Sequence, residues 1–179
     1  MSENSGFEAN RSTQRDAEAL AFREAMSRVA GAVHLVTSDG PAGRAGLTAS
    51  AVTSLSDHPA TLLACLNATS RSVKSIRENG VFGVNTLAAQ HQDLARRFSN
   101  GSLSMSERFD LGVWRSGAAG VPLLQGSLAS FALKVSDIRQ VATHLVVIGT
   151  VITAEAGVDD EPLVYHRRGY RILRDTEHR

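Results

Sequence analysis

The stretch "GLTASAVTSLS", Gly46 to Ser56, decides how this chain is read. Small and hydroxylated side chains alternate along it with a few apolar ones, and it carries no charge. Such a run predicts extended backbone. Small side chains leave room beside the strand, and hydroxyls with nearby backbone N–H groups can hold something flat and polar. An ordinary half-exposed strand with small outward residues has the same pattern, so Thr48, Ser50, Thr53 and Ser54 leave both readings open.

Upstream, "AVHLVTS" (32–38) reads as a strand and "DGPAG" (39–43) as a turn, which makes 32–50 a hairpin. Before it, "RDAEALAFREAMSRVA" (15–30) predicts a helix with Leu20, Phe22, Met26 and Val29 on one face, ended by Gly31. The preceding residues are polar, so a flexible tail over 1–14 is expected ahead of one domain over 15–179. Downstream, "ATLLACLN" (60–67) reads as a buried strand. "ATSRSVKSIRENG" (68–80) reads as a short helix with Ser70 as N-cap, Val73 and Ile76 on its inner face and Gly80 at its exit. "VFGVNTL" (81–87) is a strand, and "AAQHQDLARRFSN" (88–100) a helix carrying Leu94 and Phe98 at i, i+4. Residues 101–126, with Trp114 and several glycines, read as a long excursion over the surface or over a pocket. Strands return at 126–140 and 143–156, and 162–173 closes the chain with a turn that Gly169 permits. At least six strands and two or three short helices, without regular alternation, argue against a doubly wound sheet. They predict a mainly β, barrel-like fold with short peripheral helices.

With 179 residues, 42% of them hydrophobic, the chain can bury one substantial core. Nineteen Lys/Arg against eighteen Asp/Glu leave a formal charge of +1 with no long basic block, so nucleic acid is not an expected partner. No run reaches transmembrane length and no signal-peptide core begins the chain, so no membrane and a cytoplasmic location are expected. A single cysteine, Cys65, excludes an intrachain disulfide, and none of the six histidines pairs with another at i+4, so no metal site is expected.

The motifs GxGxxG, P-loop, HExxH and GxSxG are all missing. Four places remain. The first is the Thr48–Ser54 run. The second is "NATSRSVKS", where Asn67, Ser70, Arg71, Ser72 and Lys74 would seat a phosphate on a helix start or simply cap a solvated helix. The third is His144, at the mouth of the apolar strand "THLVVIGTV", either a core-edge histidine or a donor over a ligand. The fourth is "YHRRGY", whose Tyr165, Arg167, Arg168 and Tyr170 suit an anionic or aromatic ligand, a hairpin face or a subunit contact.

In their order, these pieces resemble the flavin reductase-like family, small NAD(P)H:flavin oxidoreductases with an FMN-binding split barrel, which includes the reductase components of two-component flavin-dependent monooxygenases. The resemblance runs over roughly Ala21 to Leu173. It implies a split β-barrel and a homodimer with flavin, FMN or FAD, near the subunit interface. It implies small-molecule substrates, NADH or NADPH as hydride donor, NADH being the weak preference, and a partner monooxygenase that receives the reduced flavin. By the resemblance, Thr48, Ala49 and Ser50 touch the flavin ring edge and ribityl chain, and Asn67, Ser70, Ser72 and Lys74 lie near its phosphate. Asn85, Thr86 and Leu87 would line the site, with Gln90, Phe98 and Tyr170 close by. His144 matches a catalytic-site histidine that usually follows Gly-Asp. Here Ala142-Thr143 precede it, and the usual carboxylate is missing. Two rival readings stand beside the reductase. One is a flavin-binding or electron-carrier protein without efficient dinucleotide turnover. The other is a related split-barrel oxidase acting on a pyridoxine-type phosphate.

Overall fold

A computed structural model describes residues 3–173 of the chain. Helix α1 (Glu3–Ser27) leads to a short strand β1 (Gly31–Ala32) and to β2 (His34–Ser38). The helix expected over 15–30 thus begins earlier and stops at Ser27, and Gly31 starts a strand instead of closing a helix. Then come β3 (Ala45–Ala49), β4 (Val52–Asp57), β5 (Ala60–Asn67), α2 (Arg71–Asn79) and β6 (Val81–Thr86). A single 3-10 turn precedes α3 (Gln92–Ser99). The excursion over 101–126 contains α4 (Met105–Phe109) and a small hairpin of β7 (Trp114–Ser116) and β8 (Pro122–Leu124). Two long strands, β9 (Ala129–Val141) and β10 (His144–Ala156), precede the closing pair β11 (Leu163–His166) and β12 (Gly169–Ile172).

The seven-stranded antiparallel sheet has the order β3-β2-β6-β9-β10-β5-β4. The strands β3 and β4 are consecutive in the chain yet lie at opposite ends of that order. Ser50 and Ala51 alone join them, and such a link spans at most ~11 Å. The sheet must therefore curl until its two edges meet. The result is a mainly β barrel with a split between β3 and the β4–β5 pair, stitched where the Cys65 amide donates to the Ala51 carbonyl at 2.8 Å. "GLTASAVTSLS" is accordingly two strands, not one extended run. Register shifts on β10, between Ile148 and Gly149 and between Val151 and Thr153, bend the longest hairpin around the barrel.

Val36, Leu66, Ile76, Phe82, Val84, Leu133 and Val147 fill the barrel interior. A second core, with Val33, Leu35, Leu87, Leu94, Phe98 and Phe109, lies between the outer face of β2–β3 and helices α3 and α4. Alternation along β2 sends Val36 to one core and Leu35 to the other. In α2, Val73 and Ile76 face inward, and Gly80 ends the helix in the left-handed region at φ 68°, as its sequence leads one to expect. Trp114 joins Phe98 and Phe109 in an aromatic cluster, centroids 5.6 and 4.7 Å away. In the β11–β12 hairpin the turn residues with positive φ are Arg167 (49°) and Arg168 (58°), and Gly169 is not among them. Among the described residues no helix is long and apolar enough to cross a membrane.

Candidate active site

Strand β3 pairs with β2 alone, so its other edge opens on the split. Gly46 shows which residues face that edge. Its carbonyl accepts from Ser72 Oγ at 2.9 Å and from Arg108 Nη1 at 3.0 Å. Backbone groups alternate along a strand, so those of Thr48 and Ser50 point the same way. The Thr48 hydroxyl donates to the Ala95 carbonyl at 2.7 Å and clamps the strand to α3. Ala49 packs against the barrel core, and Ser50 is exposed.

A cavity of about 220 Å³ lies on this edge, lined by Val33, Thr48, Ala49, Ser50, Ser99, Tyr165 and Tyr170. The two tyrosines meet edge to face, ring centroids 5.4 Å apart. Burial pushes the Tyr170 phenol above its ordinary pKa and Tyr165 adds to this, while Ser99 and Arg96 act the other way. The phenol therefore stays protonated, a neutral donor on the cavity wall. A larger hollow of about 680 Å³ adjoins it, sharing Ser50 and Tyr165 and reaching Leu20, Arg23 and Met26 of α1 and Arg168 of the terminal hairpin. Two molecules could thus meet at Ser50.

The structure gathers Thr48, Ala49, Ser50 and Tyr170 on this cavity. Ser72 is buried and holds β3 through Gly46. Asn67 and His144 stand opposite each other at the ends of β5 and β10, both exposed. Asn67 Oδ1 accepts from the Thr69 amide at 2.9 Å, and the His144 ring meets the Thr143 hydroxyl at 2.9 Å. Ser70 precedes α2 without capping it by its side chain. Lys74 turns outward to Glu78 at 3.8 Å, its side chain 81% exposed. Gln90 is exposed. The structure does not bring Asn85, Leu87 or Phe98 to the cavity surface; all three are buried in the core. Asn85 donates to the Leu35 carbonyl and accepts from the Leu124 amide at 2.7 Å, tying β8 to the barrel. The Thr86 hydroxyl meets Nδ1 of the buried His34 at 3.1 Å.

Arg108 is the residue that sequence reasoning missed. It follows a legible capping box, in which Ser104 and Glu107 exchange hydrogen bonds, but nothing local signals that its guanidinium is buried behind β3.

An open row of backbone donors and acceptors, flanked by small residues and two tyrosines, fits a planar heteroaromatic ring with carbonyl and N–H groups on its rim. The Flavin reductase like domain family matches residues 26–174 of this chain. FMN reductase (NADH) RutF of Agrobacterium fabrum is 43% identical over 86% of this chain and 88% of its own length. FMN reductase (NADH) RutF 2 of Methylorubrum extorquens is 46% identical over 87% of this chain and 90% of its own. Among solved structures, BorF, the flavin reductase component of a bacterial two-component tryptophan halogenase, superposes with a TM-score of 0.82 at 32% identity, covering 88% of this chain and 99% of its own.

Proposed function

Because this chain belongs to the flavin reductase-like family, we propose that it transfers hydride from a nicotinamide cofactor to a diffusible flavin, with NADH and FMN as the working pair. The name FMN reductase (NADH) carried by two relatives supports that pairing. The observation that carries the reading is the open edge of β3 at Thr48–Ser50, placed where two cavities join. When bound, flavin supplies the hydride acceptor and the dinucleotide the donor. The backbone of Thr48 and Ser50 fixes the rim of the ring, and Tyr165 and Tyr170 wall its cavity. The work of the chain is positioning and exclusion of water, which needs no strong general base. His144 lines neither cavity of its own chain and is assigned to orienting the nicotinamide within a dimer.

A homodimer is part of this proposal. Helix α1 exposes Leu20 (62%) and Phe22 (66%), and the barrel exposes Leu55 (52%) on the edge strand β4 and Ile152 (47%) on β10. Apolar side chains this exposed suit burial against a second copy. Light scattering is expected to give twice the chain mass, and a monomer at micromolar concentration would remove the dimer from the reading. Release of reduced flavin to a separate monooxygenase is supported by the partnership named for BorF.

The deciding measurement is oxidation of NADH and of NADPH with added FMN or FAD. Turnover that scales with free flavin is expected. Tight stoichiometric flavin with negligible turnover would instead make the chain a carrier.

A further inference from the structure

Resting on the flavin reading above, we propose that Arg108 is a positioning residue: with Ser72 it blocks the Gly46 carbonyl and so fixes the register in which the flavin ring meets β3, rim at Thr48–Ser50. Along the open edge of β3 the backbone groups of Gly46, Thr48 and Ser50 face the split. A carbonyl oxygen has two lone pairs. At Gly46 both are taken, one by Ser72 Oγ at 2.9 Å and the other by Arg108 Nη1 at 3.0 Å. The row of acceptors open to a ligand therefore begins at Thr48.

Stability alone gives no reason for an arginine here. Arg108 is 7% exposed. Besides Gly46 it donates to the carbonyls of Phe98 (3.3 Å) and Asn100 (2.8 Å) at the end of α3, and its buried Nε has no partner. Every acceptor it has is a backbone carbonyl, and the neighbouring acid, Glu107, is committed to capping Ser104 at 2.7 Å. A buried cation without a carboxylate partner is costly, and an apolar side chain of similar volume would fill the space without that cost. The guanidinium does what an apolar side chain cannot. Its rigid fork joins one carbonyl of β3 to two at the end of α3. Thr48 is fixed to the same helix through the Ala95 carbonyl at 2.7 Å, so the strand edge and α3 move as one body.

Register matters because the two cavities join at Ser50. A free Gly46 carbonyl would offer a second register, one strand repeat (~7 Å) farther from that junction. Hydride transfer needs its two reacting atoms within about 3.5 Å of each other, so a ring held in the second register is out of reach of a donor entering beside Ser50.

The test is the single-turnover rate of reduction of bound flavin by NADH, followed as bleaching of the flavin absorbance. That rate constant does not depend on how much of a sample is folded, so lost stability by itself leaves it unmoved. Arg108→Gln is expected to lower it about tenfold or more, and equally for FMN, FAD and riboflavin, because register concerns the ring they share. Arg108→Lys keeps the charge and a donor but loses the fork, and should recover part of the rate. Ser72→Ala frees the other lone pair of Gly46 and should give a smaller loss of the same pattern. Arg97→Gln cuts the hydrogen bond from α3 to the Glu107 carbonyl of α4 without touching β3, and should match the wild type. An unchanged rate in Arg108→Gln, a loss confined to FMN and FAD, or an equal loss in Arg97→Gln would each overturn the assignment. If Arg108→Gln does not fold, Arg108→Lys and Ser72→Ala decide by the same criteria. If the wild type reduces no flavin, the functional reading fails by itself, and amide hydrogen exchange decides whether Arg108 holds the edge. The Leu47 and Ala49 amides, on the residues paired with Val36 and His34, should then exchange about tenfold faster in Arg108→Gln while those between β5 and β10 keep their rates. A uniform change, or none, refutes it.

Discussion

Gly46→Ala is expected to destabilise the fold by roughly 2 kcal/mol and to weaken flavin binding at the same time. A Cβ built at this position would lie 2.5 Å from Phe98 Cε1, 2.9 Å from Phe98 Cδ1 and 3.2 Å from Phe109 Cζ. Those rings cannot simply turn aside. Phe98 is 1% exposed and meets Phe109 edge to face at 4.9 Å, with Trp114 against both. Either α3 retreats or β3 moves toward the split. Both responses reach the site, because Thr48 is clamped to α3 and the Gly46 carbonyl anchors Ser72 and Arg108. Urea unfolding and the KM for FMN, measured on one preparation, check the two effects together. The double variant Gly46→Ala/Phe98→Ala should be less destabilised than the two single losses sum to, because removing the ring removes the clash. Strict additivity would show that Phe98 is not what Gly46 accommodates.

Acid is expected to remove roughly 3 kcal/mol of stability between about pH 6.5 and pH 4, mostly through His34. Burial in β2 lowers its pKa from 6.5 to about 4. In that window the unfolded chain binds a proton that the folded chain refuses, so stability falls as pH falls. Above 6.5 the contribution is complete, and below about 4 both states are protonated and the loss is finished. Burial also lowers His91, with Asp160 opposing, so it adds to the slope in the same direction. His34→Asn removes the titrating group while keeping a side chain that can hydrogen-bond. Its unfolding free energy should change less between pH 6.5 and 4.5 than that of the wild type, whatever its stability at neutral pH. Parallel profiles for the two proteins would assign the acid loss elsewhere.

Much of the framework was readable in advance because its causes are local. The 32–50 hairpin follows from apolar runs flanking a turn-forming pentapeptide, and α2 from its apolar spacing and Gly80. The candidate residues on β3 were legible only in part: small and hydroxylated side chains leave room beside a strand, but an ordinary half-exposed strand has the same pattern, and it was the resemblance that assigned Thr48, Ala49 and Ser50 to a ligand. Asn85 and Leu87 were placed on the site, and Phe98 close to it, by the resemblance alone. Nothing in their neighbours in sequence shows that Leu35, Leu124 and Phe109 enclose them.

By itself the amino-acid order determined the strand-rich class, the family resemblance and the small-residue run of β3, since alternation, turn residues and side-chain size act within a few positions. Only the tertiary structure decided that the chain divides at Ser50–Ala51 to close a barrel, that β3 keeps an open edge, and that Arg108 lies buried with its guanidinium on the Gly46 carbonyl. Those outcomes depend on which distant segments exclude water from one another, and that is settled when the sheet curls.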